Sequence, residues 1–185
     1  MVTDSTAMLP RWLRQELRVK VVPVGLVLDG RPSVDEDSDA MDEVLAQLRA
    51  GATLATASPA PGEFAAAFEE AGAEGADEVL AIHAAASFSS TLLAARLAAA
   101  MVDVRVQVMD SGQAAFALGC CVWRAAELVR AGGSCEHAEA MVEVTSGSVR
   151  SVFTAAEIRG PSVSGYSGSG LAPEEPRGVP LVVAG

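Results

Sequence analysis

Apolar, β-branched segments alternate with segments of helical period along this chain, and that alternation constrains its fold more than any other feature. Residues 19–28 (VKVVPVGLVL), 79–84 (VLAIHA) and 104–109 (VRVQVM) read as strands. Residues 149–155 (VRSVFTA) form a weaker fourth, 54–56 a short one, and VPLVVAG near the end offers one more. Between them apolar residues recur at helical spacing. Leu9, Trp12, Leu13 and Leu17 follow it, as do Met41, Val44, Leu45 and Leu48, and Phe64, Ala67 and Phe68 suggest a third helix. Residues 89–101 and 113–130 predict longer helices, and 135–144 a sixth. Strand–helix alternation of this kind predicts an α/β fold, a mostly parallel sheet flanked by helices, because consecutive parallel strands need helical crossovers. Only 4% of residues are aromatic, so Ala, Val and Leu must fill the core, which suits close helix–sheet packing.

The alternation stops near residue 157. From 158 to 178 the chain (IRGPSVSGYSGSGLAPEEPRG) is rich in Gly, Ser and Pro and lacks an apolar period. The expected organisation is one α/β domain over 1–157 and an irregular tail over 158–185 that ends in a short strand. The motif GYSGSG at 165–170 does not make a nucleophile elbow, because Ser169 stands where the second Gly is needed and no long helix follows.

Charge excludes some partners. The net charge is −11, Lys20 is the only lysine, and no cluster of Lys and Arg exists to neutralise phosphates. Nucleic acid and anionic membrane surfaces are therefore not expected partners. The start MVTDSTAMLP lacks a basic segment followed by an apolar run. The most apolar window, 92–102, contains Arg96 and is too short to span a bilayer. A cytoplasmic protein without stable membrane insertion is expected. Cys120, Cys121 and Cys135 make a poor disulfide framework and read as small buried hydrophobes. With only His83 and His137 beside them, no metal-ligand spacing and no cofactor motif emerges.

Four junctions share one character. Thr3 leads into Asp4-Ser5-Thr6, Leu54 into Thr56-Ala57-Ser58-Pro59, Ala84 into Ser87-Phe88-Ser89-Ser90-Thr91, and Met109 into Asp110-Ser111. In a parallel sheet these loops share the carboxyl edge, where open α/β folds bind ligands at the point of strand-order reversal. Helix N-termini there present unpaired N–H groups and partial positive charge, and Ser and Thr add neutral donors. A small anionic head group, carboxylate or phosphate, suits such a site. Each loop taken alone reads first as a helix start, since Ser, Thr and Asp are preferred N-caps, and it is the recurrence over four loops that favours a ligand. Catalysis finds less support. Asp4 as a phosphatase-type nucleophile lacks the second carboxylate two residues on, where Thr6 stands, and His83 could act as a base only if it met Ser89.

Taken in order, the loops resemble the DegV family, whose members resemble bacterial fatty-acid-binding proteins. VTDSTAMLP (2–10) is similar to the family's V-T-D-S-T-A-D-L-P, and VVPVGLVLDG (21–30) to its V-V-P-L and D-G turn. TASPAPGEF (56–64) matches T-S-Q-P-S-P-x-x-F, AAASFSSTL (84–92) matches I-S-S-x-L-S-G-T-Y, and Asp110-Ser111 with Gly119 matches the D-S, Gly-containing helix. The resemblance implies binding of a long-chain fatty acid without catalysis, with presentation to a partner fatty acid kinase. It implies that Thr56 and Ser89 hold the carboxylate, with Ser58, Ser90, Thr91, Asp110 and Ser111 around them, and that the acyl chain lies in an apolar tunnel. Departures are specific: Ala85 and Ala86 replace two serines, Ser90 a glycine, Leu92 a tyrosine, and Ala57, Ser58 and Ala60 replace Ser, Gln and Ser. After VFTAAE the family continues with Y-L-x-x-G-G-R-I and a second α/β domain, which the sequence here does not match. The alternative expectation is a degenerate member acting only as an interaction domain that forms a homodimer.

Overall fold

A computed structural model describes residues 1–34, 38–150, 152–154 and 181–183. The elements run β1 (Val2–Asp4), a 3-10 turn (Ser5–Ala7), α1 (Arg11–Glu16), β2 (Lys20–Val22), β3 (Gly25–Leu28), β4 (Arg31–Val34) and α2 (Ser38–Arg49). Then follow β5 (Leu54–Ala57), α3 (Pro61–Ala73), β6 (Glu78–His83), α4 (Thr91–Ala99), β7 (Arg105–Asp110), α5 (Ala115–Arg130), α6 (Cys135–Ser148), β8 (Val152–Thr154) and β9 (Leu181–Val183). All six expected helices are present. The expected boundary at residue 157 and the motif at 165–170 lie outside the described residues, while the last expected strand appears as β9, antiparallel to β8.

Four strands form a parallel sheet in the order β2-β1-β6-β7. The chain steps from β1 outward to β2 in one direction and from β6 outward to β7 in the other. The order therefore reverses between β1 and β6, and right-handed crossovers place the helices on opposite faces. On one face α1, α5 and α6 bring Leu13, Leu118, Val122 and Val142 against Leu80 and Ile82. On the other, α3 and α4 bring Phe64, Phe68, Ala95 and Ala98 against Val2, Val79 and Ala81. The split follows the two-residue alternation of β6. The small residues of α4 allow the close approach that a core poor in aromatic rings requires.

Two expectations need correction. The apolar run 19–28 is not one strand: β2 joins the parallel sheet, whereas β3 belongs to a separate antiparallel sheet in the order β4-β3-β5. Pro23, with no N–H and a fixed φ, interrupts ladder bonding between them. Asp29 and Gly30 then turn the β3–β4 hairpin with φ of 48° and 76°, the left-handed pair a two-residue hairpin needs. The segment 54–56 is a strand, but β5 pairs antiparallel with β3, Thr56 opposite Leu26, so its loop does not leave the parallel sheet. Thr53 donates its N–H and hydroxyl to the Asp29 carboxyl, at 2.8 and 3.0 Å, and so holds that group below its ordinary value.

Gly119 marks a close approach between α5 and the turn after β1. A Cβ there would run into the Ala7 carbonyl oxygen, a backbone atom that cannot step aside. We expect Gly119→Ala to cost about 1–3 kcal/mol by overpacking, lowering the melting temperature by roughly 2–4 °C per kcal/mol. An unchanged melting temperature would contradict this packing.

All three cysteines are free; Cys121 is fully buried, while Cys120 and Cys135 are half-buried. Burial, and then the neighbouring Cys120, push the Cys121 thiol up to about 11. Since the thiolate is the reactive form, Cys121 should resist iodoacetamide at pH 8 in the native protein and react once it is denatured. Mass spectrometry of alkylated peptides checks this, and rapid native labelling of Cys121 would contradict it.

Candidate functional site

Parallel pairing sets Val2 opposite Ala81. Two positions further along each strand, Asp4 and His83 end β1 and β6 side by side, at the point where strand order reverses. Their side chains meet: Asp4 Oδ2 lies 2.7 Å from His83 Nδ1, and both residues are fully buried. The other carboxyl oxygen, Oδ1, accepts the Thr6 N–H at 3.0 Å and the Thr6 hydroxyl as well, which caps the 3-10 turn. Three donors thus surround one buried carboxylate, the condition under which a buried charge is tolerated. Phe64 packs against the imidazole with ring centres 4.9 Å apart and planes at 77°. His83 Nε2 is buried and has no hydrogen-bond partner among the described residues.

This arrangement redefines two residues. Asp4 is occupied as a turn cap and imidazole partner, and is not available as an exposed nucleophile. His83 does not serve Ser89, whose hydroxyl pairs with Thr91 Oγ1 at 2.8 Å. Sequence reasoning considered Asp4 and His83 separately; the signal that joins them is that each is the last residue of a strand.

Hydroxyls converge at the start of α4. Ser58 Oγ lies 2.7 Å from Ser90 Oγ, and Thr91 Oγ1 donates to Ser58 Oγ at 3.5 Å. The Ser89 hydroxyl also accepts the Thr91 N–H at 3.2 Å, which leaves the cluster at the N-terminal turn of the helix. Ser58 and Ser90 are exposed, Ser89 is half-buried and Thr91 is buried. Pro59 and Ala60 carry the chain from Ser58 into α3, where Glu63 Oε2 accepts the Ala60 N–H at 2.6 Å. Residues 56–60 and 84–91 contain no Lys or Arg, so the cluster offers neutral donors only.

The remaining expected residues are placed differently. Thr56 stands exposed on β5, two residues before Ser58. Asp110 accepts the N–H of Gly112 at 2.9 Å and of Ala86 at 3.2 Å. Ser111 is buried; its hydroxyl donates to the His83 carbonyl at 2.8 Å and accepts the Gln113 N–H at 3.1 Å. Asp110 and Ser111 thus brace the loop that carries the hydroxyls. Two open concavities lie elsewhere, one of about 650 Å³ lined by Arg14, Arg18, Lys20 and Glu74, the other of about 450 Å³ between Trp12 and Trp123. Neither includes the hydroxyl cluster. Among the described residues no helix is long and apolar enough to cross a membrane, and no group of three or more His, Cys, Asp or Glu side chains could hold a metal ion.

The bracing generates a prediction. Ser111→Ala leaves the Gln113 N–H without its acceptor and removes one of two donors to the His83 carbonyl. It should cost about 1 kcal/mol and speed hydrogen exchange of the Ala85 amide, which bonds to the Gln113 carbonyl. Unchanged exchange at Ala85 would contradict the bracing role.

Residues 1–160 match the model of a family described as "Uncharacterised protein, DegV family". A DegV domain-containing protein of Staphylococcus aureus is 35% identical over 133 residues, covering 72% of this chain and 47% of the relative. One of Streptomyces coelicolor is 36% identical over 166 residues, covering 89% of this chain and 54% of the relative. The chain thus spans about half the length of the curated relatives it matches. A DegV family protein of Thermus thermophilus, solved as a study of its fatty acid binding, superposes with a TM-score of 0.70 at 36% identity, over 83% of this chain and 54% of that one. DegV of Bacillus subtilis, described as a fatty acid binding protein, superposes with a TM-score of 0.76 at 30% identity, over 84% and 56% of the two chains.

Proposed function

The chain belongs to the DegV family, and from that premise we propose that it binds a long-chain fatty acid by its carboxylate at the hydroxyl cluster ahead of α4. The observation that carries this reading is the convergence of Ser58, Ser89, Ser90 and Thr91 from two distant loops at one helix N-terminus. Backbone N–H groups and the helix dipole favour an anion there. Neutral hydroxyls can turn their protons from one another to a carboxylate. Thr56 adds a further hydroxyl from β5, and Asp110 and Ser111 hold the loop in place. Hydrogen bonds to a charged group contribute about 1.5–3 kcal/mol each, and each buried acyl CH₂ adds roughly 0.8 kcal/mol. Ser89 and His83 form no nucleophile–base pair: the Ser89 hydroxyl bonds to Thr91 and the imidazole to Asp4. The bound fatty acid is presented in the cytoplasm to a partner kinase, the role that the resemblance implies.

Ser89→Ala should weaken fatty-acid affinity about tenfold, the equivalent of about 1.4 kcal/mol. Protein purified from cells should carry a fatty-acid adduct in native mass spectrometry, and added palmitate should raise the melting temperature by mass action. No adduct and no thermal shift would contradict the reading.

A second reading rests on a different observation. Leu93, Leu97 and Met101, four residues apart from Leu93 onward, are each more than half exposed along or just beyond α4. Such a stripe favours an interaction domain that pairs with another chain. A lipid-free dimer in sedimentation experiments would support this over fatty-acid binding.

A further inference from the structure

We propose that His83 is a positioning residue for the head-group site, setting the geometry of the hydroxyl cluster through Asp4 on one side and Phe64 on the other; this rests on the fatty-acid reading above. The imidazole joins segments that are far apart in sequence. Its own strand runs into the loop that bears Ser89 and Ser90. Its Nδ1 is 2.7 Å from Asp4, which caps the turn after β1. Its ring packs edge-on against Phe64, in the first turn of α3. That same turn holds the Ser58 segment, because Glu63 accepts the Ala60 N–H. His83 therefore stands between the two loops whose serines meet at 2.7 Å.

Hydrogen bonding defines the atoms' roles. Thr6 donates its backbone N–H to Asp4 Oδ1, and the aspartate Oδ2 accepts from His83 Nδ1–H. Nε2 is buried and has no hydrogen-bond partner among the described residues. Ring orientation consequently depends on the Asp4 bond and on the Phe64 contact. An imidazole buried with one nitrogen unpaired costs stability that an apolar side chain would not. Local cost of this kind is expected where it orders a binding site.

The test compares laurate with methyl laurate by calorimetry on the whole chain. The ester keeps the acyl chain and loses the anionic head, so the acid-over-ester affinity ratio reports head-group geometry and not general stability. His83→Gln places its amide where Nε2 lies and leaves Asp4 Oδ2 without the imidazole donor. His83→Asn places its amide nitrogen where Nδ1 lies and can still donate to Asp4. We expect His83→Gln to lower the ratio at least tenfold with ester affinity within twofold of wild type, and His83→Asn to restore it to within threefold. Phe64→Leu, which keeps apolar volume and removes the ring contact, should also lower the ratio and serves if His83→Gln fails to fold. An unchanged ratio in His83→Gln or in Phe64→Leu overturns the proposal. So does an equal loss for acid and ester, which marks general packing. A ratio retained by His83→Gln and lost by His83→Asn overturns it in favour of direct contact through Nε2. If wild type binds neither probe, or binds both equally, the fatty-acid reading itself fails and the inference falls with it.

Discussion

β1 pairs with β6 in parallel, Val2 opposite Ala81, and the arrangement of the carboxyl edge depends on that register. Shifting either strand by one residue would send its side chains to the opposite face. Asp4 would then lose His83, and Val2 (for β1) or Val79 and Ala81 (for β6) would leave the face covered by α3 and α4. The strand order β2-β1-β6-β7 also makes β1 and β6 the two strands from which the chain departs in opposite directions. Loops that start 79 residues apart, after Asp4 and after His83, therefore begin side by side at the carboxyl edge of the sheet. Small residues let the layers close on it: Ala94, Ala95 and Ala98 on one face, and Gly119 against the Ala7 carbonyl on the other.

Much of this was legible in the sequence, for reasons that also explain what was not. The helices were visible because each carries an apolar face of helical period, and β6 and β7 because they are short apolar runs between turn residues. The convergence of hydroxyls before α4 could be approached from the strand-to-helix junctions. Residues 19–28 misled because a continuous apolar run carries no information about which sheet each part joins, and Pro23 was the only mark of the break. The direction of β5 was equally hidden, since Leu-Ala-Thr-Ala pairs either way. The Asp4–His83 contact was invisible for a different reason. Each residue has a sufficient local explanation, a cap and a packed histidine, and only the register of distant strands brings them together.

Electrostatics gives the site its character. The chain carries a net charge of −11, and the hydroxyl cluster has no Lys or Arg in the loops that build it. An anion held there depends on hydrogen bonding and helix-end N–H groups and not on long-range attraction. The cationic concavity lined by Arg14, Arg18 and Lys20 is at the amino end of β2, the opposite end of the sheet. There Lys20 is already paired with Glu70 and Glu74 at 3.2 and 2.8 Å. The two locations are the rival candidates for the proposed carboxylate: one neutral, the other charged and partly neutralised.

Backbone amide shifts on titration with laurate separate them directly. Two-dimensional NMR of isotopically labelled protein would report the site without any substitution. The account predicts saturable shifts at Ser58 and at Ser89 to Thr91, with Arg14 to Val21 unmoved. Shifts concentrated at Arg14, Arg18 and Lys20, or none at the hydroxyl cluster, would contradict it.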